Sequence, residues 1–433
     1  MKYAFAILLP LAIFSRTMIA QHTHNGATSP GEEYLQALIE ETLSNNPDIA
    51  SEYHKISAAR QRIPQAASLA DPELNFKLME IPGTEFNKAM YANVELMQTV
   101  PFPTKLAARR SLAELLAVHA EHDHMEKVVE VVADLKSTLA MLWFARESAA
   151  INKASRALLQ KVLKSAETLY AVDKASQQEI LKTNIELSKI DAAEAHIQEQ
   201  LLSADSRLHA LLNRPASVPI GSFNLPDTLV SLPPVDRLLS FARENRPMLR
   251  HDSLNVVEKD MMVRLMKQEY LPDLKFSIEY VRMPVLMENR WSIVAGISLP
   301  FAPWTLSKAS SRVQEAEAER SMLSSVYVAS KNMIRSQIRS KHASVVSLEK
   351  QLQYELYSIL PQLSHSIELL LTEYQTGKTT YLMLLDGYRM YNEMLLDIAM
   401  TKMNYQEALA SLEREVGVTD IHLADSNTME NHQ

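Results

Sequence analysis

The chain has 433 residues, only 8 glycines, no cysteine, 6% aromatic residues and a formal net charge of −8. Glycine is the common helix stop and usually makes up roughly 7% of a chain. Its scarcity means few chain reversals and long elements, which excludes Rossmann and P-loop enzymes, propellers, immunoglobulin sandwiches and collagen-like rods. The lack of cysteine excludes a disulfide scaffold, a thiolate metal site, a cysteine nucleophile and a lipid-modified N-terminal cysteine. An acidic chain without a cluster of Lys and Arg also excludes a nucleic-acid partner.

At the N-terminus, Lys2 precedes an apolar run from Ala4 to Phe14, and Ala20 precedes Gln21. This order of charged, apolar and small residues predicts a signal peptide over 1–20. The run, about 11 residues, is too short to span roughly 30 Å of hydrocarbon as a helix. Cleavage takes away Lys2 and Arg16 and leaves a net charge of −10. No later stretch reaches about 18 uninterrupted apolar residues, so no transmembrane helix is expected. Residues 21–33 are expected to be a mobile N-terminal segment.

The remainder repeats itself about every 200 residues. Asn45-Asn46-Pro47 returns as Asn245-Arg246-Pro247, and Pro72-Glu73-Leu74-Asn75-Phe76 as Pro272-Asp273-Leu274-Lys275-Phe276, both at an offset of 200. Val100-Pro101-Phe102 returns as Leu299-Pro300-Phe301 at 199; Tyr170 matches Tyr374, and Ala210 to Asn213 matches Arg414 to Gly417, at 204. Landmarks in one order at nearly constant offset define repeat 1 (34–213) and repeat 2 (235–417). The linker between them, 214–234, has five prolines from Pro215 to Pro234.

Each repeat predicts a helix, two strands and a long helical hairpin. Residues 34–69 read as one helix ended by Asp71-Pro72. Leu74, Phe76 and Leu78 then alternate with polar residues, and after Pro82-Gly83 so do Val94, Leu96, Gln98 and Val100. This gives a strand hairpin over 72–101. Its counterpart over 272–300 carries Leu274, Phe276 and Ile278, a loop near Pro284, then Ile293, Ala295, Ile297 and Leu299. Such pairs fit a soluble sheet edge or a membrane hairpin, since about 9–11 tilted residues cross a bilayer as a strand.

Helical hairpins are expected over 104–213 and 305–417. Residues 104–170 contain neither proline nor glycine and as one helix would run about 100 Å; residues 305–374 are broken only by Pro361. The turns fall at Ala171–Ser176 and Gln375–Thr379. The returning helices carry apolar rows at alternating spacings of three and four, Leu187 to Leu211 and Leu384 to Val416, broken by Glu194 and Lys402. Residues 418–433 read as a disordered tail. The fold class expected is mainly α with a small β part: a coiled-coil helical barrel plus a β-barrel. Four strands cannot close a membrane barrel, because the smallest need about eight, and open edges are not tolerated in lipid. If the hairpins lie in a membrane, several copies must pool their strands.

With these landmarks in place, the chain resembles the TolC-like outer-membrane efflux proteins over about residues 32–417. The resemblance is carried by Ala37-Leu38 to Asn46-Pro47, Gln98-Thr99-Val100-Pro101-Phe102-Pro103, Tyr374-Gln375-Thr376-Gly377-Lys378, and Leu409 to Gly417. It implies a homotrimer with a twelve-stranded barrel in outer-membrane lipid and a long periplasmic tunnel. It also implies passive export driven by an inner-membrane pump (RND or ABC type) through a periplasmic adaptor, or membrane fusion protein. It further implies an aperture at the helix turns, with Tyr374, Asp386 and Glu179 as candidates. The family's arginine position is Thr379, with Lys378 beside it; a second carboxylate position is Met383, and Asp173 replaces the first repeat's turn glycine. The adaptor-docking candidates are Val172, Asp173, Thr376 and Gly377. The alternative for Glu179 and Asp386 is solvation on exposed helices.

The cargo is less legible. Met261, Met262, Met266, Met283 and Met287, the cluster His119, Glu121, His122, Asp123 and His124, and His22 and His24 resemble the heavy-metal CusC and CzcC branch. His119 and His122, three apart, and His124 are the metal candidates; the alternative is methionine as helix filler and histidines that bind nothing. No nucleophile elbow, phosphate loop or HExxH motif occurs, so no enzyme and no cofactor is expected. Two other functions stay open: an outer-membrane conduit of type I protein secretion, and a periplasmic coiled-coil adaptor or structural protein.

Overall fold

The computed structural model describes residues 30–421, apart from 82, 85, 87, 88, 90, 226–230, 284–287 and 301. The expected signal peptide, His22, His24, linker residues 226–230, the loop near Pro284 with Met287, Phe301 and the tail from 422 onward lie outside the described residues.

Helix α1 (Pro30–Asn45) and helix α2 (Pro47–Ala66) occupy the segment read as one helix. The break is chemical: the residue before proline is driven to extended backbone, and Asn46 adopts it at φ −67°, ψ 124°. Its Oδ1 accepts from the backbone N–H of Asp48 (2.9 Å) and Ile49 (3.2 Å), an N-cap, while its Nδ2 donates to the carbonyl of Leu211 at 2.8 Å. Repeat 2 breaks likewise between α5 (Val235–Asn245) and α6 (Pro247–Gln268). There the buried Arg246 donates to the carbonyl and carboxylate of Glu415, both at 2.7 Å. Helix α1 starts inside the segment expected to be mobile, with Pro30 as its first residue.

Strands β1 (Glu73–Met79), β2 (Tyr91–Val100), β3 (Leu274–Met283) and β4 (Glu288–Ile297) form one antiparallel sheet in the order β1-β2-β3-β4. The two repeats therefore meet at β2–β3. Lys105 fastens the sheet to the helices. Its buried Nζ donates to the carbonyl of Leu271 and to Asp273 Oδ1, both at 2.8 Å.

Helix α3 (Pro103–Tyr170) is unbroken for 68 residues, and α4 (Gln177–Leu212) returns alongside it. In repeat 2, α7 (Pro303–Tyr354) gives way to a π turn at Glu355–Ile359, then α8 (Leu360–Gln375) and the returning α9 (Tyr381–Val416). Pro361 signals this break. It lacks an N–H and its ring crowds the carbonyl four residues earlier, so the disturbance falls on the N-terminal side of the proline.

The core is distributed along the rod. One cluster holds Leu38, Leu135, Leu142, Leu208 and Leu212; a second holds Leu238, Ile338, Val345, Leu412 and Val416 at the matching repeat positions. A third joins both hairpins near the turns, with Leu159 and Val162 of α3, Ile190 of α4, Tyr374 of α8 and Leu384 and Tyr388 of α9. In α4 the fully buried residue at the end of the row is Leu212 rather than Leu211, because a 3.6-residue helix drifts off a 3.5-residue row. The expected tail is corrected at its start. Val418 and Ile421 are buried, and Ile421 N–H donates to Glu413, whose carboxylate pairs with Lys136 at 2.6 Å.

Candidate functional site

The sheet separates its two faces by chemistry. In register, Leu74, Leu96, Ile278 and Ile293 lie across one face, followed by Phe76, Val94, Tyr280 and Trp291. The other face carries Asn75, Glu95, Glu279 and Ser292, then Lys77, Asn93, Val281 and Arg290. Exposure shows which way the sheet curls: Ile293 is 79% and Trp291 72% exposed, whereas Asn93 is 3% and Ser277 7% exposed. Side chains splay on a convex face and converge on a concave one, so the polar face is concave. The facing carboxylates Glu95 and Glu279 would repel across strands. Lys77 pairs with Glu95 at 2.7 Å, and Asn93 donates to Glu279. No helix among the described residues is long and apolar enough to cross a membrane.

At the far end of the long helices the two turns lie side by side. Both close with a left-handed residue, Asp173 (φ 55°) and Gly377 (φ 73°). In each, the next N–H reaches back five residues: Lys174 to Leu169 and Lys378 to Glu373, both at 2.8 Å. Val172, Thr376 and Gly377 are exposed there. Tyr374 is buried and donates its hydroxyl to Glu179 Oε2 at 2.8 Å, joining α8 to α4. Burial first, then the Glu179 bond, pushes its phenol well above the ordinary tyrosine range. Glu179 Oε1 also accepts from the Ser176 N–H at the start of α4, which fixes the carboxylate. Lys378 and Asp386 are exposed, and their side chains make no hydrogen bond or ion pair among the described residues.

Sequence reasoning missed two further links between the same helices. Tyr381 of α9 shares a 2.8 Å hydrogen bond with Thr183 of α4, and Arg389 of α9 binds Glu186 of α4, which Lys189 also meets at 3.0 Å. Both join helices far apart in sequence. Spacing along one helix cannot reveal them.

The metal candidates do not converge. His119 is buried against the ring of His251 on α6, centroids 4.9 Å apart, while His124 lies edge-on to Tyr53 of α2 at 6.3 Å. Five residues apart on a helix is about 140° of rotation, so the two leave α3 on different sides. Among the described residues no three metal-ligating side chains are placed to hold an ion.

The four-stranded sheet with one apolar face, carried on two tandem helical hairpins, is a fold shared with solved outer-membrane channels. The chain superimposes on the outer-membrane channel OprN with a TM-score of 0.77 at 16% identity, covering 89% of this chain and 90% of that one. It superimposes on CusC, described by its transmembrane channel formation, at 0.75 and 16%, covering 89% and 92%. For the outer membrane protein VceC of Vibrio cholerae the values are 0.73 and 16%, covering 89% and 96%. Residues 38–214, the first repeat, match the sequence profile of the family described as outer membrane efflux protein. The resemblance to TolC-like proteins thus rests on a family match across repeat 1 and on the fold across both repeats. No curated protein is similar enough in sequence to match this chain.

Proposed function

We propose that this chain is one third of a homotrimeric outer-membrane channel, a passive conduit through which an inner-membrane pump exports small solutes by way of a periplasmic adaptor. One observation carries the reading. The sheet is polar on its concave face and apolar on its convex face, and β1 and β4 have no further partner strand among the described residues. Three copies joined edge to edge supply twelve strands, enough to close a barrel whose outer face meets lipid. The long helices then continue the barrel as a tube, and the paired turns form its far end. There the bond from Tyr374 to Glu179 holds α8 against α4, Lys378 and Asp386 are available to neighbouring chains, and the adaptor meets the turns at Val172, Asp173, Thr376 and Gly377.

The test is extraction from envelope membranes in mild detergent followed by single-particle imaging. Hollow three-fold tubes longer than about 100 Å, the length set by helical rise, are expected. Monomers or thin rods that need no detergent overturn the reading.

A further inference from the structure

We infer that β4 closes onto β1 of a second copy in one register, with Ile297 opposite Phe76 and Leu299 opposite Leu74 of that copy. The inference rests on the channel reading, which supplies the second copy but not the offset between the two edges.

Backbone hydrogen bonding decides which residues can meet. Along an antiparallel strand, successive residues turn their N–H and C=O groups to opposite sides. Ser298 N–H donates to the Asp273 carbonyl at 2.9 Å, so even-numbered residues of β4 bond to β3 and odd-numbered ones face the open edge. The three registers run without a bulge. Carrying the alternation across β3 and β2 leaves Leu74, Phe76 and Leu78 facing outward from β1. The seam therefore joins odd residues of β4 to even residues of β1, which are the convex-face residues of both strands. Pro300 does not interrupt it, because its missing N–H lies on the β3 side.

The tandem repeat sets the offset. The joint between the repeats pairs Val100 with Leu274 and Gln98 with Phe276. Leu299 matches Val100 at an offset of 199, and Leu274 matches Leu74 at 200. The joint between copies thus repeats the joint inside the chain when Leu299 meets Leu74. Barrel closure favours the same choice. From Leu74 the sheet crosses to Leu96, Ile278 and Ile293, and the inferred seam returns to β1 at the level of Glu80, six residues on. Three copies give a stagger of eighteen, which tilts twelve strands by about 46°, close to the 35–45° of membrane barrels. Setting Ile297 opposite Leu78 instead would tilt them by about 54°.

Gly296 supplies an independent sign. Within its own chain a Cβ there would meet Lys275 Cβ at an ordinary 3.8 Å, so nothing in the chain calls for glycine. In the inferred register it faces Lys77 of the second copy on the concave face. The missing side chain leaves Lys77 room to keep its 2.7 Å pair with Glu95. Glycine within a strand often marks such a close approach.

The chain has no cysteine, so paired substitutions read the register directly. Full-length protein in envelope membranes is oxidised and run on non-reducing denaturing gels. Ile297→Cys with Phe76→Cys is expected to give covalent dimers and trimers at least fivefold above Ile297→Cys with Leu74→Cys or with Leu78→Cys. Opposed residues have Cα atoms about 5.5 Å apart, within disulfide range, and a two-residue slip adds about 7 Å along the strand. Inside one chain, β1 and β4 are three strand spacings or about 14 Å apart, so no internal bridge competes. Leu299→Cys with Leu74→Cys is a second reporter, expected to cross-link as well as the first. Stronger cross-linking in a shifted pair, or equal cross-linking in all pairs, overturns the inferred register and leaves the channel reading standing. So does a trimer in mild detergent that cross-links in none of the pairs. Monomers in mild detergent that cross-link in none of them overturn the channel reading, and the seam with it.

Discussion

Burial and charge at His119 set a pH dependence that belongs to single side chains. Burial is the first cause holding its imidazole below the ordinary range, and the facing charge of His251 on α6 is the second; Glu258 on α6, the Leu254 carbonyl and Asp123 on α3 pull the other way. His122 is lowered by burial and then by Arg250, and His124 by burial, against Glu52. A folded-state value below the unfolded one, about 6.5, means that the unfolded chain binds protons first as pH falls. The stabilising contribution is therefore fully present above that value and is lost below it, as pH drops towards the folded values. Thermal unfolding in detergent is expected to show a falling midpoint between pH 7 and pH 5. His119→Asn is expected to flatten the slope. An unchanged slope in that variant would assign the acid sensitivity to other groups. The histidines were visible in the sequence, but their surroundings were not. Residue spacing placed His119 and His122 on one side of a helix; only the packing of α6 brings His251 into contact.

The helix ends show how far pattern reaches at the level of elements. Four of them close in left-handed backbone at positions paired by the offset of 204: Asp173 with Gly377, and Asn213 with Gly417. Gly417 has a second constraint, since a Cβ there would lie 3.0 Å from Arg246 Cα. Gly377 has no atom within 4 Å of such a Cβ, so only its φ of 73° is at stake. Gly377→Ala is expected to cost about 1 kcal/mol, the penalty of left-handed backbone for an L residue. Asp173→Gly is expected to change stability by less than about 0.5 kcal/mol, because aspartate tolerates this region and glycine gains unfolded entropy. Chemical denaturation compares the two directly. An equal loss at both would show that the Asp173 side chain itself holds its turn. The turns were legible because glycine, asparagine and aspartate mark them. The break at Asn46 was misread, although Asn46-Pro47 is itself a break signal, because the apolar spacing continues on both sides of it. Pro361 announced a break without its position, since the bond it removes lies upstream in the helix.

For the whole molecule, the two faces of the sheet make opposite demands on the same substitution, and adjacent residues sample both. Ile293 points outward from β4 and is 79% exposed in the single chain, paired in register with Ile278. Ser292, one residue earlier, faces inward opposite Glu279. The alternation was readable from sequence as period two, but not the direction of curl, which depends on how four strands from two repeats join across β2–β3. If the convex face lies in hydrocarbon, Ile293→Lys costs about 2–4 kcal/mol near the bilayer midplane. Ser292→Lys instead places a cation opposite Glu279 on the polar face, where an opposite-charge cross-strand pair contributes roughly 0.2–1 kcal/mol. The amount of protein that resists extraction by urea from envelope membranes is expected to fall for Ile293→Lys and to hold for Ser292→Lys. Equal loss in both variants would mean that β4 tolerates no lysine for reasons of folding. Equal retention would mean that the convex face meets water, and the sheet would then have to be a soluble edge rather than part of a membrane wall.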